Sequence, residues 1–98
     1  MKYLLINSFQ NVENFCVMSY NSRGFSLDKQ SFCNFLLSSS FAGGKIPILC
    51  NQENFIMKGN FYKILQAFPN FHVIIKPAKK DSSDRGRARN GMFVAMPK

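Results

Sequence analysis

The chain has 98 residues, of which 46% are apolar, 18% are charged and 11 are phenylalanine. That length allows one domain with a small core, and that apolar content excludes disorder over the whole chain. The net charge of +8 favours polyanionic partners over basic ones.

In chain order, residues 1–14 read as a leader or a peripheral strand: a short apolar start, then the polar run NSFQNVEN. The start is too short for a signal-peptide core, and no stretch approaches the ~20 apolar residues that cross a bilayer, so no membrane partner is expected. Phe15–Tyr20 is apolar at every position but one, which predicts a strand covered on both faces. Asn21–Gly24 is a turn. Ser26 is placed to cap a helix whose first turn holds Asp28, where the helix dipole favours an anion. Phe32, Phe35 and Leu36 fall on one face of that helix, and Ser38–Gly44 ends it.

Ile46–Cys50 predicts a second buried strand, with Pro47 marking a first part that is unpaired. Phe61, Ile64, Leu65 and Phe68 make a second short amphipathic helix, which Pro69-Asn70 ends. Phe71–Ile75 is a third strand, 76–90 a basic loop and Gly91–Met96 a fourth strand. This order describes an α/β layered domain.

Cys16, Cys33 and Cys50 are odd in number and lack metal-site spacing, so neither a disulfide framework nor a zinc site is expected. Cys16 and Cys50 lie in apolar runs and read as reduced core residues. They point to a reducing, intracellular compartment, nuclear or cytoplasmic. Residues 76–98 hold seven basic side chains against Asp81 and Asp84, which is +5 of the net +8. Lys79, Lys80, Arg85, Arg87 and Arg89 are the candidate nucleic-acid contacts there. The same segment could equally be a solvated loop that keeps a Phe-rich chain soluble.

Asn21 ends the first strand and Glu53 lies just past the second. If those strands are neighbours, an amide and a carboxylate meet at one rim of the sheet. Mg2+ is commonly held by one or two carboxylates with water and substrate phosphate. The competing reading is an ordinary strand-exit glutamate facing solvent.

The runs FCVMSYNSRGFSLDKQSFCNFLL, IPILCNQEN and GRARNGMFVAMPK resemble the opening half of the endonuclease/exonuclease/phosphatase superfamily. Within it they are most similar to the apurinic-type endonuclease domain of non-LTR (LINE-like) retrotransposons. The carrying motifs are Tyr20-Asn21, Gly24, Lys29, Gln52-Glu53, Gly86-Arg87 and Gly91–Met96, between about Phe15 and Lys98. The resemblance implies that residues 15–98 are the N-terminal part of a four-layer α/β/β/α sandwich. Glu53 would coordinate Mg2+, Asn21 would sit beside the metal and the scissile phosphate, and Arg87 with its neighbours would follow the DNA backbone.

The sequence also departs from the family. The later Asp-x-Asn, the Ser-Asp-His segment and the tyrosine of the family's middle region are absent, and Arg23 stands where some relatives carry an acid. His72 reads as structural and not as a replacement for the missing histidine. The implied protein is a truncated Mg2+-dependent phosphodiesterase that is inactive alone. Its Phe-rich sheet face would be uncovered and open to self-association. Two alternatives remain: a basic nucleic-acid-binding module without catalysis, and a phosphatase acting on a small phosphoester.

Overall fold

The computed structural model describes residues 6–12, 14–79 and 89–98, with side chains left aside at 6–12, 39 and 89. Its strands are β1 (Ile6–Val12), β2 (Phe15–Asn21), β3 (Ile46–Gln52), β4 (Phe71–Lys79) and β5 (Arg89–Pro97). The helices are α1 (Leu27–Leu36), the single turn α2 (Ser39–Ala42) and α3 (Phe61–Ala67), which a 3-10 turn at Lys58–Asn60 precedes. The described strands form one mixed sheet in the order β1-β2-β3-β5-β4. β2 and β3 are parallel and every other neighbouring pair is antiparallel. The class is mixed α/β.

The parallel pair follows from its connection. Two strands joined through a helix can return in the same direction, whereas a tight turn forces them antiparallel. Ser26 caps α1, accepting from the Lys29 N–H at 3.4 Å. α1 and α2 then carry the chain back to the start of β3. Alternate residues of β2 and β3 are buried: Cys16, Met18 and Tyr20 on one, Pro47, Leu49 and Asn51 on the other. They share a core with Phe32, Cys33, Leu36 and Leu37 of the α1 segment, with Ile64 and Phe68, and with Phe93 and Ala95 of β5. Aromatic edges lock it. Tyr20 meets Phe32 at 5.0 Å and 81°, and Phe93 meets Phe25 at 5.8 Å and 81°. Such pairs add about 0.5–1.5 kcal/mol beyond the area they bury.

The opposite residues of each strand face away from this core. Val17, Ile48, Cys50, Val94 and Met96 are half-buried against one another, and Ile74 is 69% exposed. No described helix covers that face. The expectation of strands covered on both faces is therefore corrected: the described elements cover one. The phenylalanines were expected on the open face. Phe25, Phe32, Phe68 and Phe93 instead pack on the helix side, while Phe15 shares the open face with aliphatic, Met and Cys side chains. Cys50 belongs to this open face and is half-buried, while Cys16 and Cys33 are buried in the core.

Several boundaries move. β3 runs two residues beyond Cys50, and β2 ends on Asn21 itself. Pro47 pairs in register with Cys16, so β3 is partnered by β2 along its length. Only its β5 side is unpaired at the start, because that pairing begins at Leu49. β4 continues through Pro77 to Lys79, so the first part of the expected basic loop is strand. Pro is tolerated there because β4 is an edge strand, and the ladder with β5 skips it. Residues 6–12, from the segment read as leader or peripheral strand, pair with β2 at the other edge. Of the residues placed on apolar helix faces by spacing, Leu65 is 52% exposed and Phe35 packs its ring at the rim against Phe32 and Phe41, while Cys33 and Leu37 take inward positions.

Candidate functional site

The site begins where β2 and β3 end together. Asn21 lies in register with Gln52. Tyr20 points into the core, so Asn21, the next residue, faces the open side. The chain then turns through Arg23 (φ 49°) and Gly24 (φ 116°). This turn is tied to the exit of β3. The Ser22 N–H donates to the Gln52 carbonyl at 3.0 Å, and the Gly24 N–H donates to the Glu53 carbonyl at 2.7 Å. Lys29 Nζ donates to the Arg23 carbonyl at 3.0 Å and closes the loop from the helix side.

Glu53 itself has φ 53°, a left-handed conformation uncommon outside glycine. The kink ends β3 and turns the carboxylate back toward β2, where Asn21 Nδ2 donates to Glu53 Oε2. Residues 54–56 then cross to the β4–β5 hairpin. Asn54 N–H donates to the Gly91 carbonyl at 3.1 Å, Phe55 N–H to the Asn90 carbonyl at 2.9 Å, and Ala78 N–H to the Ile56 carbonyl at 2.9 Å. Buried Asn54 also caps its own turn, its Oδ1 accepting from the Ile56 N–H at 2.9 Å.

Beside Glu53 is a cavity of about 330 Å3, walled by Gln52, Glu53, Lys76, Lys79 and Asn90, with Met92, Gly91 and Pro77 completing it. The strand register explains why these residues converge. Asn21 pairs with Gln52, Gln52 with Met92, and Met92 with Lys76, so one row crosses four strands on the open face. The cavity is walled by Glu53 just past the β3 position of that row and by Lys76 at its β4 position, with Lys79 three residues further along β4.

The expected residues fare as follows. Asn21 and Glu53 are brought together. Lys79 lines the cavity, and Lys80, Arg85 and Arg87 lie outside the described residues. Arg89 opens β5 in register with Lys79, and its side chain lies outside the description. His72 is solvent-facing and pairs with Met96, four residues along β4 from Lys76 or roughly 13 Å at strand spacing. The register keeps it away from Glu53. Lys76, Gln52 and Asn90 were not singled out as site residues. The signal for Lys76 was the alternation of FHVII carried on through K-P-A-K.

The donor set suits a hard cation. A carboxylate and an amide side chain offer oxygen ligands next to an open cavity, the kind of partial set with which Mg2+ is held. Among the described residues no three or more His, Cys, Asp and Glu side chains cluster. Comparison with protein-family models, with curated proteins and with solved structures returned no match. Among the described residues no helix is long and apolar enough to cross a membrane.

Proposed function

We propose that this chain carries the metal-binding side of a Mg2+-dependent phosphodiesterase site acting on DNA, of the retroelement endonuclease type, in a reducing intracellular compartment. The observation that supports it is the meeting of Asn21 and Glu53 at the ends of two parallel strands, at the mouth of a cavity lined on its far side by lysines. Glu53 would hold the metal, with Asn21 orienting the carboxylate and facing the phosphate. Bound there, Mg2+ would neutralise phosphate charge and stabilise the leaving oxygen. The open sheet face fits the same reading, in which a second sheet packs against the first in a four-layer sandwich.

Cutting also needs a group that takes the proton from the attacking water. The 98 residues hold neither Asp-x-Asn nor Ser-Asp-His. The reading is therefore a chain that binds Mg2+ and DNA and by itself does not turn over. The alternative, a basic binding module without metal chemistry, draws on Lys76 and Lys79 at the cavity wall.

Thermal unfolding with and without Mg2+, together with plasmid nicking, tests this. Mg2+ should raise Tm for the wild type and leave Glu53→Gln unchanged, because a ligand that binds only the folded state stabilises it. Neither protein should nick. An equal Mg2+ response in both would leave the binding module standing. Nicking that vanishes in Glu53→Gln would overturn the inert state.

A further inference from the structure

We propose that the outer edge of β4 pairs with β4 of a second copy of this chain, antiparallel and centred on Ile74. The two five-stranded sheets then become one continuous sheet. This does not depend on the metal reading, and it uses backbone groups rather than the cavity.

β4 is a nine-residue edge strand with no Lys, Arg, Asp or Glu before Lys76. Its ladder with β5 shows no bulge. Charge, brevity and bulges are the usual guards of an edge, and the stretch from Phe71 to Ile75 has none of them. Ile74, in the middle of the strand, is 69% exposed.

The backbone shows which groups the edge offers. Successive residues of an antiparallel strand bond to alternate sides. The Asn70 carbonyl accepts from the Lys98 N–H at 3.3 Å, beside the Phe71–Pro97 end of the ladder. Even-numbered residues of β4 therefore bond toward β5, and odd-numbered ones turn their N–H and C=O outward. Pro77 is odd-numbered, so its missing N–H costs the β5 ladder nothing. The Phe71 N–H is taken by the Phe68 carbonyl at 3.2 Å. The outward donors left along Phe71–Pro77 are Val73 and Ile75, and among the described residues neither has a backbone partner.

A two-fold axis through Ile74 sets Val73 of each copy opposite Ile75 of the other. Each such pair exchanges two hydrogen bonds, which uses both donors of both copies. The side chains agree with this register. Ile74 meets Ile74, Val73 meets Ile75 and Phe71 meets Pro77, while His72 faces Lys76. Centring on Ile75 would set Ile74 against Lys76. Centring on Lys76 would set two ammonium groups opposite each other, which is unfavourable. The occupant is a second copy because the strand is its own complement. Paired residues share a face, so the two open faces fall on one side of the joined sheet.

Cross-linking and sedimentation test this. The cross-linking variants are made in Cys50→Ser, since Cys16 and Cys33 are buried. In the proposed register the two Ile74 positions form a non-hydrogen-bonded pair about 4.5 Å apart between Cα atoms, within disulfide reach. The two His72 positions lie four residues out of step, roughly 13 Å apart. With oxidised glutathione, Ile74→Cys should give a covalent dimer in several-fold higher yield than His72→Cys. In sedimentation, His72→Lys should raise the dimer Kd about two- to thirtyfold, because each dimer then holds two like-charge pairs with Lys76. Adding Lys76→Glu should reverse that loss. Leu65→Lys, which adds the same charge on α3, should leave Kd within twofold.

Equal cross-linking at positions 74 and 72 would overturn the proposal and assign association to the open face. Equal weakening by His72→Lys and Leu65→Lys would overturn it in favour of general charge repulsion, and so would failure of Lys76→Glu to rescue. A wild type that stays at 11.2 kDa at every concentration would overturn it outright. The Mg2+ response of Tm would still report on Glu53 independently. Circular dichroism on each variant excludes misfolding as the cause of a loss.

Discussion

Asn21 and Glu53 stand 32 residues apart in sequence and share a hydrogen bond across the ends of two parallel strands. Two devices hold them there. The carbonyls of Gln52 and Glu53 accept from the backbone of the loop that follows Asn21, which fixes the two strand ends to each other. The left-handed kink at Glu53 then turns its side chain back toward β2. A non-glycine residue in that conformation costs on the order of 1–3 kcal/mol and persists where its surroundings enforce it. The aim of the carboxylate is thus built into the backbone.

If so, removing the amide should cost stability as well as metal affinity. Asn21→Ala should lower unfolding free energy by about 1.5 kcal/mol, the lower end for a hydrogen bond to a charged group, since Glu53 is only half-buried. In a double-mutant cycle with Glu53→Ala the two effects should be less than additive, because each removes the same charge-assisted bond. Urea unfolding of the four proteins measures this, and full additivity would show that the contact contributes nothing.

Gly91 should be the least replaceable glycine among those described. Its φ is 86°, and a Cβ there would meet Asn54 Oδ1 at 2.5 Å, Ala78 Cβ at 3.1 Å and Phe55 N at 3.2 Å. One of these is backbone and one is a buried Asn that is itself hydrogen-bonded. Gly91→Ala should therefore cost more than the roughly 1–2 kcal/mol of a left-handed residue alone. Gly43→Ala has nothing within 4 Å and should cost only the conformational part. Tm values for the two variants decide it, and equal losses would remove the steric argument.

The end of the first strand was legible because a turn residue, Asn21, follows an apolar run, whereas the second was placed at Cys50, two residues early, because Asn51 and Gln52 are polar. What covers each strand was not legible. Val17, Cys50 and Met96 are as apolar as Cys16, Leu49 and Ala95, so composition cannot tell an open face from a buried one. Lys76 was hidden by Pro77, which reads as a breaker everywhere except in an edge strand. The turn α2 was hidden in SSSFAGG, whose serines and glycines favour loops. The strand at residues 6–12 is the peripheral strand that the sequence offered beside a leader, and its polar character left the two open because an edge strand can be polar.

Alkaline pH should destabilise the fold through Cys33. Burial pushes its thiol from an ordinary 9.0 up to about 12, and burial also raises Cys16. A thiol held neutral in the folded state contributes its full stability below pH 9. That contribution falls as pH climbs from about 9 toward 12, because the unfolded chain ionises first. The slope for Cys33 is about 1.4 kcal/mol per pH unit. Cys33→Ala, a small apolar replacement, should be less stable at pH 7 and show a shallower loss between pH 8.5 and 10.5. Parallel pH profiles for the two proteins would contradict this.

The open face should make the chain associate with itself. Val17, Ile48, Cys50, Val94, Met96 and Ile74 form a continuous apolar surface across four strands, ending at the edge strand β4. Contiguous apolar surface of this kind marks an interaction site or an aggregation liability in a free chain. The net charge of +8 opposes association at low salt, and salt screens that repulsion. Sedimentation should therefore show larger species that grow with both protein and salt concentration. Ile74→Lys places a charge at the most exposed apolar position of the sheet and should shift the equilibrium toward the 11.2 kDa chain without loss of Tm. A single 11.2 kDa species at every concentration and salt would show that the face is tolerated in water.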